Sequence, residues 1–177
     1  MTDPVQFMSH HTAVEYVLPE PSALGVHFAG ELGHGRIVGH KCPECGKVYV
    51  PPRGYCPMCV VETTDADEVP IADRGTITTF SVITPLQYQG QQETEDYVQA
   101  TLLLDGSDTT IMVTGLEGIA IAEVRTGLRV EAIWAAEGER GSTTVGIRGV
   151  GLGDAVHGWR PTGEPDLPRE QLAEHVL

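Results

Sequence analysis

The chain has 177 residues and a net charge of −14, from 25 acidic and 11 basic side chains, with a 41% apolar share, 21 Gly and 12 Pro. That length holds one ordinary domain and a small appended module, and the composition describes a folded chain rich in strands and turns, not a disordered segment or a helical bundle. The acidic excess opposes binding to a nucleic-acid backbone; no apolar run reaches the length of a membrane span and no basic-then-apolar leader opens the chain, so a cytoplasmic location is expected.

Residues 1–21, with Pro4, Pro19, Pro21 and the pair His10-His11, read as an extended arm. From Ser22 to Gly33 the apolar side chains Ala23, Leu24, Val26, Phe28, Ala29 and Leu32 recur at near-helical spacing behind a capping serine, which predicts a short helix. Arg36 to His40 reads as a brief strand leading into a cysteine-rich module. The acidic stretch Glu62 to Glu68 reads as a linker, placing a boundary near residue 70.

Beyond it the period changes to that of strands. Gly75 to Thr84 is rich in Thr, Ile, Val and Phe, and Tyr97 to Leu104 and Thr109 to Thr114 form a hairpin pattern around Asp105-Gly106. Leu128 to Ala136 and Thr143 to Leu152 supply two further predicted strands, with a short helical turn around Ile119 to Val124. Five short strands suggest a small closed barrel of the OB type, because closure removes exposed edges. The expected organisation is an arm at 1–21, helix plus ribbon at 22–69, a barrel at 70–158 and a proline-punctuated tail at 159–177, a mainly β fold with one N-terminal helix.

The cysteines carry the strongest chemical signal. Cys42-Pro43-Glu44-Cys45 and Cys56-Pro57-Met58-Cys59 are two C-x-x-C turns, and each turn places two thiolates on one side. Four such thiolates match the tetrahedral preference of one zinc ion. Gly46 gives the backbone freedom required just past the first turn. Two disulfides or a redox dithiol are the competing readings; the first is rare in the cytosol and the second is not normally duplicated at this separation. A four-cysteine zinc has no open position, so its expected role is structural. Lys41, Lys47 and Arg53 either offset its negative charge or are ordinary solvated cations.

Taken with Arg36-Ile37-Val38-Gly39-His40 before the first turn, Val50-Pro51-Pro52-Arg53 between the turns and Arg74-Gly75-Thr76-Ile77 after them, these cysteines resemble the family of zinc-ribbon plus OB-fold proteins that accompany thiolase-like enzymes. The resemblance spans residues 22 to 136. The chain departs from the family pattern at Val60, where a glycine is usual, and in its longer C-terminal tail. The resemblance implies a rubredoxin-like ribbon, a five-stranded OB-fold barrel and an accessory role. The partner so implied is a thiolase, a hydroxymethylglutaryl-CoA synthase or a lipid-transfer-protein-like aldolase that cleaves steroid side chains, bound in a hetero-oligomer. It further implies that the ribbon and N-terminal helix contact the partner and that the barrel helps to hold a CoA thioester; Phe28, Leu32, Val48 and Tyr49, apolar side chains that a short helix and a knuckle can hardly bury, are candidate docking residues, with packing against the chain's own barrel as the competing account.

Other candidate sites have plainer alternatives. No G-x-S-x-G, glycine-rich phosphate loop or H-E-x-x-H occurs, so catalysis by the chain alone is not expected. His34 and His40 read as ligand contacts or as surface and packing residues, and His157 beside Trp159 as a binding pair or a barrel seal. The loop from Pro85 to Asp96, with Gln87, Tyr88, Gln89, Gln91 and Gln92, reads as a binding loop or a hairpin tip. Arg125, Arg129, Arg140, Arg148 and Arg160 are candidates for a CoA phosphate or solvated charges. The rival functions are a single-stranded nucleic-acid-binding OB protein, opposed by the charge and by 6% aromatics, and a free-standing acyl-CoA-binding protein or hydrolase, for which no catalytic set is found.

Overall fold

A computed structural model describes residues 22–85, 95–140, 152 and 155–172. Helix α1, Ala23–Gly33, begins where expected: the Ser22 side chain accepts the Gly25 N–H at 3.1 Å. Its inner face buries Phe28 and Leu32. No helix among the described residues is long and apolar enough to cross a membrane.

Strand β1, Ile37–Lys41, pairs antiparallel with β2, Val48–Tyr49, on one side and with β5, Glu68–Ile71, on the other. The two-residue strands β3, Tyr55–Cys56, and β4, Val61–Glu62, form a separate antiparallel pair in the second cysteine turn. The acidic stretch expected as a linker is therefore structured. Asp65–Asp67 make one 3-10 turn, closed by Thr64 and the Asp67 carboxylate, and Glu68 already pairs with His40. Apolar Val69 and Ile71 pull this segment inward, and β5 spans the position of the expected boundary at residue 70.

The second sheet has five strands in the order β10-β9-β6-β7-β8. They are β6, Arg74–Ile83; β7, Tyr97–Leu104; β8, Thr110–Thr114; β9, Arg129–Trp134; and β10, Val156–Pro161. Four lie where the alternation of apolar residues predicted them, and β7 coincides end for end. The fifth is Val156–Pro161, across the expected start of the tail; residues 143–151 of the predicted strand Thr143 to Leu152 lie outside the described residues. The sequence Val-His-Gly-Trp-Arg-Pro has no period-2 apolar pattern, because Gly158 and Trp159 are both buried, one for lack of space and the other as core.

The expected closed barrel is also corrected. Among the described residues the sheet does not close; its two edges meet at one parallel bridge, Leu116 with Trp159. There the Trp159 N–H donates to Gly115 O at 2.9 Å and the Glu117 N–H to Trp159 O at 2.8 Å. Gly158 permits the approach, since a Cβ at that position would fall 3.1 Å from a Glu117 carboxylate oxygen and closer still to Gly115 O.

One apolar core runs through both sheets. Phe28, Leu32, Ile37, Val38, Val48 and Val50 from the helix and ribbon join Ile77, Leu102, Leu104, Ile111 and Val130 from the five-stranded sheet. This overturns the docking assignment of Phe28, Leu32, Val48 and Tyr49, which are 5–8% exposed and packed within their own chain. Tyr49 is covered within the ribbon by Cys42 and Cys56, whereas Phe28, Leu32 and Val48 need the OB sheet, which supplies the other half of their core. Polar contacts reinforce the join. The Val48 N–H donates to an Asp108 carboxylate oxygen and the Asp108 N–H returns to Val48 O, both at 2.9 Å. The Thr109 hydroxyl accepts from the Val50 N–H at 2.9 Å and donates to Val50 O at 3.1 Å. Strand β2 is thereby fastened to the turn between β7 and β8.

Candidate metal centre

The Sγ atoms of Cys42, Cys45, Cys56 and Cys59 all lie within 4.8 Å of one another. Each C-x-x-C pair sits on the same turn. The Gly46 N–H donates to Cys42 O at 3.0 Å, and the Val60 N–H donates to Cys56 O at 2.8 Å. Backbone N–H groups also approach the sulfurs, Cys45 N–H reaching Cys42 Sγ at 3.4 Å. The thiols are free, and Cys45 and Cys56 stand 3.8 Å apart. A metal with tetrahedral bonds of about 2.3 Å to sulfur, the length zinc makes, needs edges of about 3.8 Å between its ligands. The residues present fit such an ion.

Electrostatics favour a cation in this position. Burial opposes ionisation of Cys56, yet hydrogen bonds from the Tyr49 hydroxyl, the Cys59 and Met58 N–H groups and the Cys42 thiol bring it down to about 6. Cys59 moves the other way, up to about 12, because its bond to Cys45, burial and the thiols of Cys42 and Cys56 favour the protonated form. Protein groups alone thus support the Cys56 thiolate and resist that of Cys59. A divalent cation at the centre relieves that repulsion.

The turns differ in the residue just past the second cysteine. Gly46 takes a left-handed φ of 74°, and the equivalent Val60 is forced to φ 58° with its side chain 84% exposed. Such a conformation costs a β-branched residue about 1–2 kcal/mol, and solvent contact returns little. Val60→Gly is expected to raise stability by about 1 kcal/mol after the added freedom of glycine in the unfolded chain is counted. Urea denaturation of the metal-loaded protein measures it; an unchanged or lower midpoint would show that the valine is not strained.

Other candidates do not join this cluster. His34 is exposed near Glu31; His40 is buried on β1, with Nδ1 3.1 Å from the Thr63 hydroxyl and Nε2 without a protein partner in the structure. His157 is exposed while Trp159 is buried at the sheet's seam, so they do not form one exposed surface. The arginines proposed for a phosphate are engaged. Arg125 makes a two-pronged contact with Asp166, Arg129 grips Asp105 and reaches Glu164, and Arg160 pairs with Glu131. Arg140 donates to Ala135 O and lies 5.3 Å over the Trp134 ring. Arg148 and residues 86–94 of the candidate binding loop lie outside the described residues. A groove of about 480 Å³ beside Ile119, Val124, Arg125 and Leu128 also presents Glu123 and Glu164, carboxylates that repel a phosphate.

Sequence reasoning gave Tyr49 the wrong surroundings and passed over Asp108 and Thr109. The Val-Tyr-Val run marks a strand, but Asp108 and Thr109, which bond Val48 and Val50, lie about sixty residues away, beyond any local pattern.

Two family models match this chain. Residues 30–63 match the ChsH2 rubredoxin-like zinc ribbon domain, and residues 68–135 match the ChsH2 C-terminal OB-fold domain. A DUF35 domain-containing scaffold protein from Methanocaldococcus jannaschii is 29% identical over 118 residues, covering 63% of this chain and 79% of the relative. A crystal structure of a DUF35-family protein from Sulfolobus solfataricus superposes with a TM-score of 0.51 at 23% identity, over 63% of this chain and 78% of that one. The Ltp2-ChsH2(DUF35) aldolase gives a TM-score of 0.54 at 20% identity, over 81% of this chain and 98% of the matched chain.

Proposed function

Since this chain belongs to the family that joins a ChsH2-type zinc ribbon to a ChsH2-type OB-fold domain, we propose that it is the non-catalytic scaffold subunit of a thiolase-like acyl-CoA enzyme, with one structural zinc on Cys42, Cys45, Cys56 and Cys59. The observation that carries this reading is the closed four-cysteine site fastened to an OB sheet. Four thiolates fill the coordination of zinc, so the ion offers no place for water or substrate and its work is to hold the ribbon's shape. The description of the M. jannaschii relative as a scaffold protein supports the accessory role, and the fold shared with the ChsH2 chain of an aldolase supports a carbon–carbon lyase as the partner.

In this reading the partner supplies the nucleophile and base and holds most of the CoA thioester, because the described arginines of the OB sheet are already paired with carboxylates or a carbonyl. The experiment is co-expression with thiolase-like enzymes encoded beside this chain. Stable co-purification through an interface of at least about 1,000 Å², with turnover of an acyl-CoA only by the pair, is the expected result. Turnover by the isolated chain, or failure to associate with any such enzyme, would overturn the reading.

A further inference from the structure

The Tyr49 ring is 5% exposed, and its hydroxyl stands 3.3 Å from the Sγ of Cys56, itself fully buried. A buried phenol needs a hydrogen-bond partner, and this sulfur is the one the structure gives it. The ring cannot swing away. Its strand pairs with β1 at His40, the flanking Val48 and Val50 are tied to Asp108 and Thr109, and the guanidinium of Arg53 covers the ring at 5.7 Å.

We propose that Tyr49 is a positioning residue for the metal: its hydroxyl donates to the Cys56 sulfur, fixes that ligand's direction and draws off part of its charge, and so sets how tightly the ion is held. This rests on the reading that the four cysteines bind zinc. Four thiolates around one divalent ion leave two negative charges on the site. A hydrogen bond to a ligand disperses that charge in the same way as other outer contacts to metal ligands, whose removal typically weakens metal affinity 10–100-fold. Cys56 also receives N–H groups from Met58 and Cys59, so the hydroxyl completes a set that holds the most buried of the four ligands.

The test compares native protein, Tyr49→Phe and Tyr55→Phe, each loaded with zinc and titrated with a chromophoric chelator, then reloaded with cobalt. Phenylalanine keeps the packing of the ring and removes only the donor; Tyr55, 54% exposed on the same ribbon, is the control. We expect Tyr49→Phe to lose about tenfold in zinc affinity and to shift the thiolate-to-cobalt charge-transfer band to lower energy, with Tyr55→Phe matching the native protein. Global replacement of tyrosine by fluorotyrosine, a stronger donor, is expected to move that band the opposite way and serves should Tyr49→Phe fail to fold. Native affinity and spectrum in Tyr49→Phe, an equal loss in Tyr55→Phe, or no band shift with fluorotyrosine would overturn the inference alone. A native chain that takes up no zinc would overturn the metal reading along with it.

Discussion

Replacing Cys56 with serine is expected to unfold the entire chain in one transition, not the ribbon by itself. Structural zinc in small ribbons contributes roughly 10–16 kcal/mol at neutral pH, comparable to or larger than the roughly 5–15 kcal/mol that separates a native domain from its unfolded state. Were the ribbon joined to the sheet only through a flexible linker, that loss would remain local. Phe28, Leu32, Val38, Val48 and Val50 instead share one core with Ile77, Leu102 and Val130. Unravelling the ribbon therefore exposes the apolar side of the five-stranded sheet and takes Val48 from the Asp108 N–H and Val50 from the Thr109 hydroxyl. Calorimetry of native, chelator-treated and Cys56→Ser protein, with metal content measured in parallel, checks the prediction. Two separate transitions, the upper one unaffected by the substitution, would show the units to be independent.

The second large effect is expected at Gly75. This residue, the second of β6, faces Leu104, and a Cβ added there would lie 2.9 Å from Leu104 Cα and nearer still to the carbonyl oxygen of Leu103. Both obstacles are backbone, so no side-chain rotation relieves the clash. Gly75→Ala must push β6 away from β7 where Ile77 and Leu102, both 0% exposed, meet in the core. A loss of about 3 kcal/mol is expected, at the upper end for overpacking. Ser81→Ala, on an exposed position of the same strand, is the control and is expected to stay within about 0.5 kcal/mol of the native protein. Chemical denaturation of both variants measures the difference; equal midpoints would mean that the strands separate at little cost.

What the sequence disclosed follows from how local each signal is. Ser22 ahead of a helical apolar stripe, the alternation in Tyr97 to Leu104 and the paired C-x-x-C turns each contain their cause within a few residues, and each is found where it was read. Strand β10 escaped because its fit depends on a glycine meeting the Gly115 carbonyl, a contact between distant segments. The acidic residues of 62–68 suggested solvent, while the burial of Val69 and Ile71 just beyond them decided the path of the chain. Likewise the apolar side chains of the helix and ribbon announce that something must cover them, and only the tertiary structure shows that the cover is the chain's own second sheet. The arginines could be listed from sequence, but their carboxylate partners Asp105, Glu131, Glu164 and Asp166 could not be paired with them.

The fastening of Val48 and Val50 to Asp108 and Thr109 bears on the order in which the molecule assembles. The cysteine turns close over three residues and lose little chain entropy on forming. The contact from β2 to the turn after β7 spans 60 residues and is far slower to find by diffusion of an open chain. A metal captured early ties the two cysteine turns together and holds Val48 and Val50 in an extended, aligned edge before the hairpin exists. With zinc bound as proposed, the β7–β8 turn meets a prepared template, so refolding of the long-range half is expected to be faster with metal present than after its removal.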